Sequence, residues 1–286
     1  VIANLKTLGK IRTSETYAAT LCSFRRFRED KDVTLDDMDS DMMMAYEAYL
    51  KNNGVSPNSS SFYMRNLRAV YNRAVEKELT PQRFPFKHVY TGVDKTVKRA
   101  VPLKVIKRIK EMNFSMNPSF DFARDMFLMS FYTRGMSFVD MAYLRKKDLQ
   151  NGVLSYRRRK TGQQLFIKWE KCMQEIVNKY DTSQSNYLLP IIKPFGDIDE
   201  RKQYIYAAHN INRCLKIIGK ELGLSVSLTL YVARHAWASI AKSKNVPLSV
   251  ISEGMGHDSE ATTRIYLASL DTVAIDKANS MILKSL

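Results

Sequence analysis

The chain has 286 residues, 45 of them Lys or Arg and 29 Asp or Glu, leaving a formal net charge of +16. A content of 45% hydrophobic and 26% charged residues excludes a disordered or fibrous chain and fits about two globular domains. Three scattered cysteines (Cys22, Cys172, Cys214) exclude a disulfide framework and a cysteine zinc site, and suit a reducing cytosol; no apolar run of about 18 residues could cross a membrane. No secretory signal opens the chain, and Val1 in place of Met points to a segment removed upstream. So large a positive excess calls for an anionic partner, of which nucleic acid is the commonest for a cytosolic protein.

The first part, residues 1–92, reads as a helical bundle. Thr13 or Ser14 caps a first helix with Tyr17, Leu21, Phe24 and Phe27 on one face. The acidic stretch 29–41 lacks the spacing of a calcium loop and reads as a solvated connection. Ser40 opens a second helix with Met42, Ala45, Tyr46, Tyr49 and Leu50 inward, ended by Asn52, Asn53 and Gly54. Ser56 and Pro57 begin a third, with Tyr63, Leu67, Val70, Tyr71 and Ala74 in helical period. Arg25, Arg65 and Arg68 lie off the apolar stripes, either as a DNA-facing surface or as an ordinary solvated face. Residues 93–99 are charged and poor in large apolar groups, which predicts a linker. Residues 1–99 carry net +5 and the remainder net +11.

The second part, residues 100–286, is mixed. An apolar helical pattern covers 121–132 and another helical stretch covers 140–144. Asn151 and Gly152 then begin a β-meander, with Lys160 at the turn between its last two strands. Helices resume near Gln203 and are interrupted at Gly223, Pro247 and Gly256. Residues 272–286 form a tail helix with Ile275, Ala278, Ile282 and Leu286 on one face. The fold class is therefore mainly α with a small β-meander.

Five residues of the second part stand out jointly. They are Arg134, Lys160 before Thr161 and Gly162, Arg234 before His235, His257 between Gly256 and Asp258, and Tyr266 nine positions after His257. Their order and spacing resemble the tyrosine recombinase (phage integrase) family, and most closely the Bacteroidetes-type integrases of conjugative elements and transposons. The resemblance covers most of the chain. It implies a SAM-like core-DNA-binding domain followed by an α+β catalytic domain. It further implies a site-specific recombinase that integrates or exchanges DNA through a 3′-phosphotyrosyl intermediate, without metal or other cofactor. By the same resemblance four protomers act on two duplexes, the free protein is a monomer in the cytoplasm, and the tail docks on a neighbour unless it packs in cis. An inactive DNA-binding relative and a type IB topoisomerase are the alternatives.

Two positions depart from the family pattern. Tyr231 stands where most members have a His three residues before the second Arg, and a phenol with a pKa of about 10 is no imidazole. The acidic residue expected three positions after Arg134 comes six after it, as Asp140.

The chemistry explains why these residue types are needed. Attack on a phosphodiester builds negative charge, which Arg134 and Arg234 can offset in a fork while His257 and Tyr231 donate hydrogen bonds. Tyr266 is the expected nucleophile, and Lys160 the acid for the 5′ leaving oxygen. Arg157, Arg158 and Arg159 beside it are expected to touch backbone phosphates, and His235 to support Arg234.

Overall fold

The computed structural model describes residues 1–94, 99–193 and 198–267 together with Ser280 and Leu283, and only the backbone of Ile265 and Tyr266. The chain divides into two compact units, Val1–Thr96 and Val97–Leu286.

The first unit holds α1 (Ile2–Thr7), α2 (Ile11–Phe27), α3 (Ser40–Asn52) and α4 (Pro57–Glu76). Ser56 caps α4, with Pro57 in its first turn, where a missing N–H costs nothing. Asp39 caps α3, its carboxylate accepting from Met42 N at 2.8 Å; the expected cap had been one residue later, at Ser40. Phe24, Met43, Tyr46, Leu50, Met64 and Tyr71 form the core.

The inward face of α2 differs from the apolar stripe expected of it. Leu21 is 45% exposed, while Ser14, Thr20 and Ser23 are buried. Hydrogen bonds explain this: Asn66 donates to Thr20 Oγ1 at 2.8 Å, and Tyr46 Oη to Ser23 Oγ at 2.7 Å. Small hydroxyl side chains thus face α4 at Thr20 and α3 at Ser23 with their hydrogen bonds satisfied. Similarly, α3 buries Met43 rather than Ala45, which is exposed. The acidic stretch is tied down in part by Asp36, which accepts from Thr80 Oγ1 at 2.6 Å.

The second unit begins with α5 (Leu103–Glu111) and α6 (Pro118–Tyr132), followed by the short α7 (Phe138–Ala142). A three-stranded antiparallel sheet follows: β1 (Leu149–Gln150), β2 (Val153–Arg157) and β3 (Gln164–Lys168), in that order. Then come α8 (Lys171–Asn178), α9 (Glu200–Glu221), α10 (Leu230–Ser243), α11 (Leu248–Gly254) and α12 (Glu260–Leu267). Helix α6 is the centre of this unit and packs on both α9 and α10. Met126, Phe127 and Met129 of α6 are buried with Leu215 and Ile218 of α9 and Val232 and Ala233 of α10. Each such large side chain contributes about 1.5–3 kcal/mol on burial.

Asn151 (φ +50°) and Gly152 (φ +73°) make the left-handed turn between β1 and β2 that suits a two-residue hairpin. In β2 and β3, Leu154, Tyr156, Leu165 and Ile167 point inward, with Leu154 opposite Ile167 and Tyr156 opposite Leu165. The expected meander is therefore present, and Lys160 lies in the turn between β2 and β3. Residues 95–98 of the expected linker, and the expected tail helix apart from helical Ser280 and Leu283, lie outside the described residues.

Candidate active site

The site is built on the turn that ends α6. Gly135 N donates to Ser130 O at 2.7 Å, closing the helix through two successive left-handed residues, Arg134 (φ +61°) and Gly135 (φ +75°). Gly135 lies directly against Arg234 of α10: a Cβ at 135 would come within 2.8 Å of Arg234 Cα and Cγ. No other residue type fits both the backbone angle and this approach.

Arg234 is 7% exposed and satisfies three elements at once. It donates from Nη1 to Gly135 O at 2.6 Å, and from Nη2 to Met255 O at 2.7 Å and to His257 Nε2 at 3.0 Å. The side chain of Arg134 passes along the end of α11. A Cβ at Gly254 would lie 3.6 Å from Arg134 Cδ and 3.3 Å from Trp237 Cη2. Among the described residues no hydrogen bond or ion pair engages the Arg134 guanidinium.

His257 follows a left-handed Gly256 (φ +64°) at the end of α11, its own N–H donating to Ser252 O at 3.0 Å. Its Nδ1 lies 2.7 Å from Thr263 Oγ1 on α12. Burial, then the charges of Arg234, Arg158 and Lys160, push its pKa down to about 4, against a weaker opposing pull from Asp258. The ring is neutral at pH 7.

The β2–β3 hairpin is fastened to this centre by two side chains. Arg158 was expected on the DNA; instead it turns inward, 8% exposed, and donates from Nη1 to Gly256 O. The cause is strand alternation: counting by twos from Leu154 and Tyr156 puts residue 158 on the buried face. The second fastening is Asp140, 3% exposed, whose Oδ1 accepts from Arg159 N at 2.9 Å and whose Oδ2 accepts from Ser137 Oγ at 2.6 Å. The displaced acidic residue noted in the sequence thus pins the backbone next to Lys160. Arg157 and Lys160 are exposed, and the Arg159 guanidinium stacks 4.0 Å over the Tyr143 ring.

The remaining expected residues are scattered. Tyr231 is 58% exposed, its ring edge-on to that of buried His235 at 4.4 Å. It lies on the outer side of α10, while Arg234 is turned inward. Tyr266 falls in α12, and its side chain is outside the described residues. In the first unit Arg25 pairs with Asp30 at 2.7 Å, Arg65 donates to Ser61 O at 3.4 Å, and Arg68 donates to Thr91 Oγ1 at 3.1 Å; all three arginines are exposed. Arg134, Arg234, His257 and the Lys160 hairpin are thus drawn together. Gly135, Thr263 and the carbonyls of Met255 and Gly256 were given no role from sequence. Two of them carried a signal: Gly135 as a glycine immediately after a candidate arginine, and Thr263 as part of the Thr262-Thr263 pair between His257 and Tyr266.

Comparison with known proteins adds the following. The family described as Phage integrase SAM-like domain matches residues 1–89, and the one described as Phage integrase family matches residues 103–272. The fold is similar to that of XerH site-specific recombinase bound to palindromic difH substrate in a post-cleavage complex. That match has a TM-score of 0.71 at 16% identity, over 98% of this chain and 84% of that one. It is also similar to a lambda integrase dimer bound to a COC′ core site, with a TM-score of 0.67 at 15% identity over 90% and 88% of the two chains. The Tn1549 transposon integrase in complex with transposon right end DNA gives 0.65 at 15% identity over 96% of both. At such identities the likeness is one of fold. No curated protein sequence matches the chain.

Proposed function

Since the chain belongs to the phage integrase family, whose catalytic domain spans more than half of it, we propose that it is a site-specific tyrosine recombinase of mobile DNA. In this reading Tyr266 Oη attacks the scissile phosphorus and the bond from phosphorus to the 5′ oxygen breaks. The electron pair stays on that oxygen, which takes a proton from Lys160 Nζ. The phenol loses its proton to solvent water as it attacks, and a 3′-phosphotyrosyl link and a 5′ hydroxyl result. A 5′ hydroxyl of a partner strand reverses the step and seals the exchange.

Arg134 and Arg234 hold the non-bridging oxygens, and His257 donates a hydrogen bond to one of them. Tyr231 reaches the same phosphate only from the exposed side of α10, which suits a contact made once DNA is bound. The observation that carries this reading is the gathering of a buried arginine, a neutral histidine, a second arginine with no partner among the described residues, and an exposed lysine turn around Gly135 and Gly256.

Residues 1–92 serve as the core-DNA-binding domain, 93–99 as a linker and 100–286 as the catalytic domain with its tail. Arg25, Arg65, Arg68, Arg157 and Arg159 contribute to the grip on double-stranded DNA, so affinity falls steeply with salt. The protein is a monomer in the cytoplasm and a homotetramer on two duplexes. Tyr231 and the late acid Asp140 support the Bacteroidetes-type subgroup.

A pool of nicked duplexes of random sequence, presented to the protein, selects its own site by covalent capture. The wild type yields a denaturant-resistant protein–DNA adduct that maps to Tyr266, and Tyr266→Phe binds the same duplexes without forming it. An undiminished adduct in Tyr266→Phe, or one mapped to another residue, overturns the assignment.

A further inference from the structure

Thr263 is fully buried, and its hydroxyl meets His257 Nδ1 at 2.7 Å. On the other side of the ring, Arg234 Nη2 lies 3.0 Å from Nε2. A guanidinium has only donors, so Nε2 must accept here; the neutral ring then keeps its one proton on Nδ1 and gives that hydrogen bond to Thr263 Oγ1. This tautomer is the wrong one for binding a phosphate. A phosphate oxygen accepts only, so a neutral His257 that contacts it must carry the proton on Nε2. Its Nδ1 then needs a donor in a site where an unsatisfied ring nitrogen is costly.

A threonine hydroxyl fills either role by rotating its hydrogen, with no heavy atom displaced. We propose that Thr263 is a positioning residue that lets His257 exchange tautomers, accepting from Arg234 when the site is empty and donating to the scissile phosphate when it is filled. One proton leaves Nδ1 to water and one is taken from water at Nε2, so the net charge is unchanged. In the same step Arg234 Nη2 is released from the imidazole and turns to the phosphate. The inference rests on His257 being a phosphate ligand, and it adds that the phosphate must displace an arginine–histidine contact to engage it. The depressed pKa of His257 agrees with it, because a ring that stays neutral must solve its hydrogen bonding by tautomer and not by a second proton.

The test uses the full chain uniformly labelled with nitrogen-15. The chain has four histidines, and His257→Gln identifies the His257 signals. In the free protein the ring reads as the Nδ1–H tautomer, and with the nicked duplex bound as the Nε2–H tautomer. Thr263→Val keeps the shape and removes the hydroxyl. It slows formation of the tyrosyl adduct about tenfold to a hundredfold, while Thr263→Ser restores the rate to within a few-fold. A purely packing role predicts the reverse order, with Val harmless and Ser damaging, and that result overturns the proposal. So does a ring that keeps the Nδ1–H tautomer in both states. The free-protein spectrum needs no activity. If the wild type formed no adduct at all, the recombinase reading would fail while the tautomer assignment was still being read.

Discussion

Gly135→Ala is the sharpest test of how the site is assembled. The left-handed backbone at this position costs an L residue about 1–2 kcal/mol. The new methyl would also lie 2.8 Å from Arg234 Cα and Cγ, and forcing a group into packed surroundings costs about 1–3 kcal/mol more. Together these lower stability by about 2–5 kcal/mol. For a domain of this size each kcal/mol moves Tm by about 2–4 °C, so the melting transition should fall by about 4–20 °C. Gly152→Ala supplies the control. Its φ of +73° is nearly the same, yet nothing lies within 4 Å of its Cβ position, so only the backbone penalty applies. Thermal melts of the two variants side by side separate conformation from contact. If Gly135→Ala is no more destabilising than Gly152→Ala, the close approach of the α6 turn to Arg234 is refuted. Adduct formation should fall in Gly135→Ala alone, because only there is Arg234 displaced.

Two further outcomes follow from the same geometry. His257 is depressed to about 4 in the folded protein against about 6.5 in an unfolded chain, so the folded state takes up this proton later. Its share of stability is present above about pH 6.5 and is lost as pH falls toward about 4. Urea unfolding across that range should therefore decline less steeply in His257→Gln than in wild type, and identical slopes would refute the assignment. Exposed Arg157 and buried Arg158 should behave oppositely. Arg157→Ala lowers the salt slope of DNA binding by about one. Arg158→Ala leaves that slope intact but lowers stability by about 1–3 kcal/mol, read from binding titrations and melts of both variants.

The sequence announced the long helices α4 and α6, the meander and the Lys160 turn, because each rests on a local rule: a capping residue, an apolar period, an Asn-Gly turn. It hid α1, which buries only Leu5 and has no side-chain cap, and the inward face of α2, where serine and threonine pack by hydrogen bonding and so leave no trace in hydropathy. The candidate site residues were legible from spacing. What joins them was not, because Arg234 is held by the carbonyls of Gly135 and Met255, and backbone oxygens are the same at every position. Arg158 was misread as one of four equal basic residues, although the strand period had already assigned it to the inside.

The triple attachment of Arg234 has a bearing on how such an enzyme could decay. A lineage drifting toward mere DNA binding can give up the exposed lysine of the β2–β3 turn with little consequence for the rest of the molecule. Giving up Arg234 unfastens α6 from the α11–α12 connection and strands two carbonyl groups in a dry interior. Loss of chemistry is therefore expected to be lopsided: a silent descendant can shed the turn lysine and still keep the arginine for architectural reasons. An intact arginine in a relative is poor testimony that the relative still cuts DNA, and the turn lysine is the better witness.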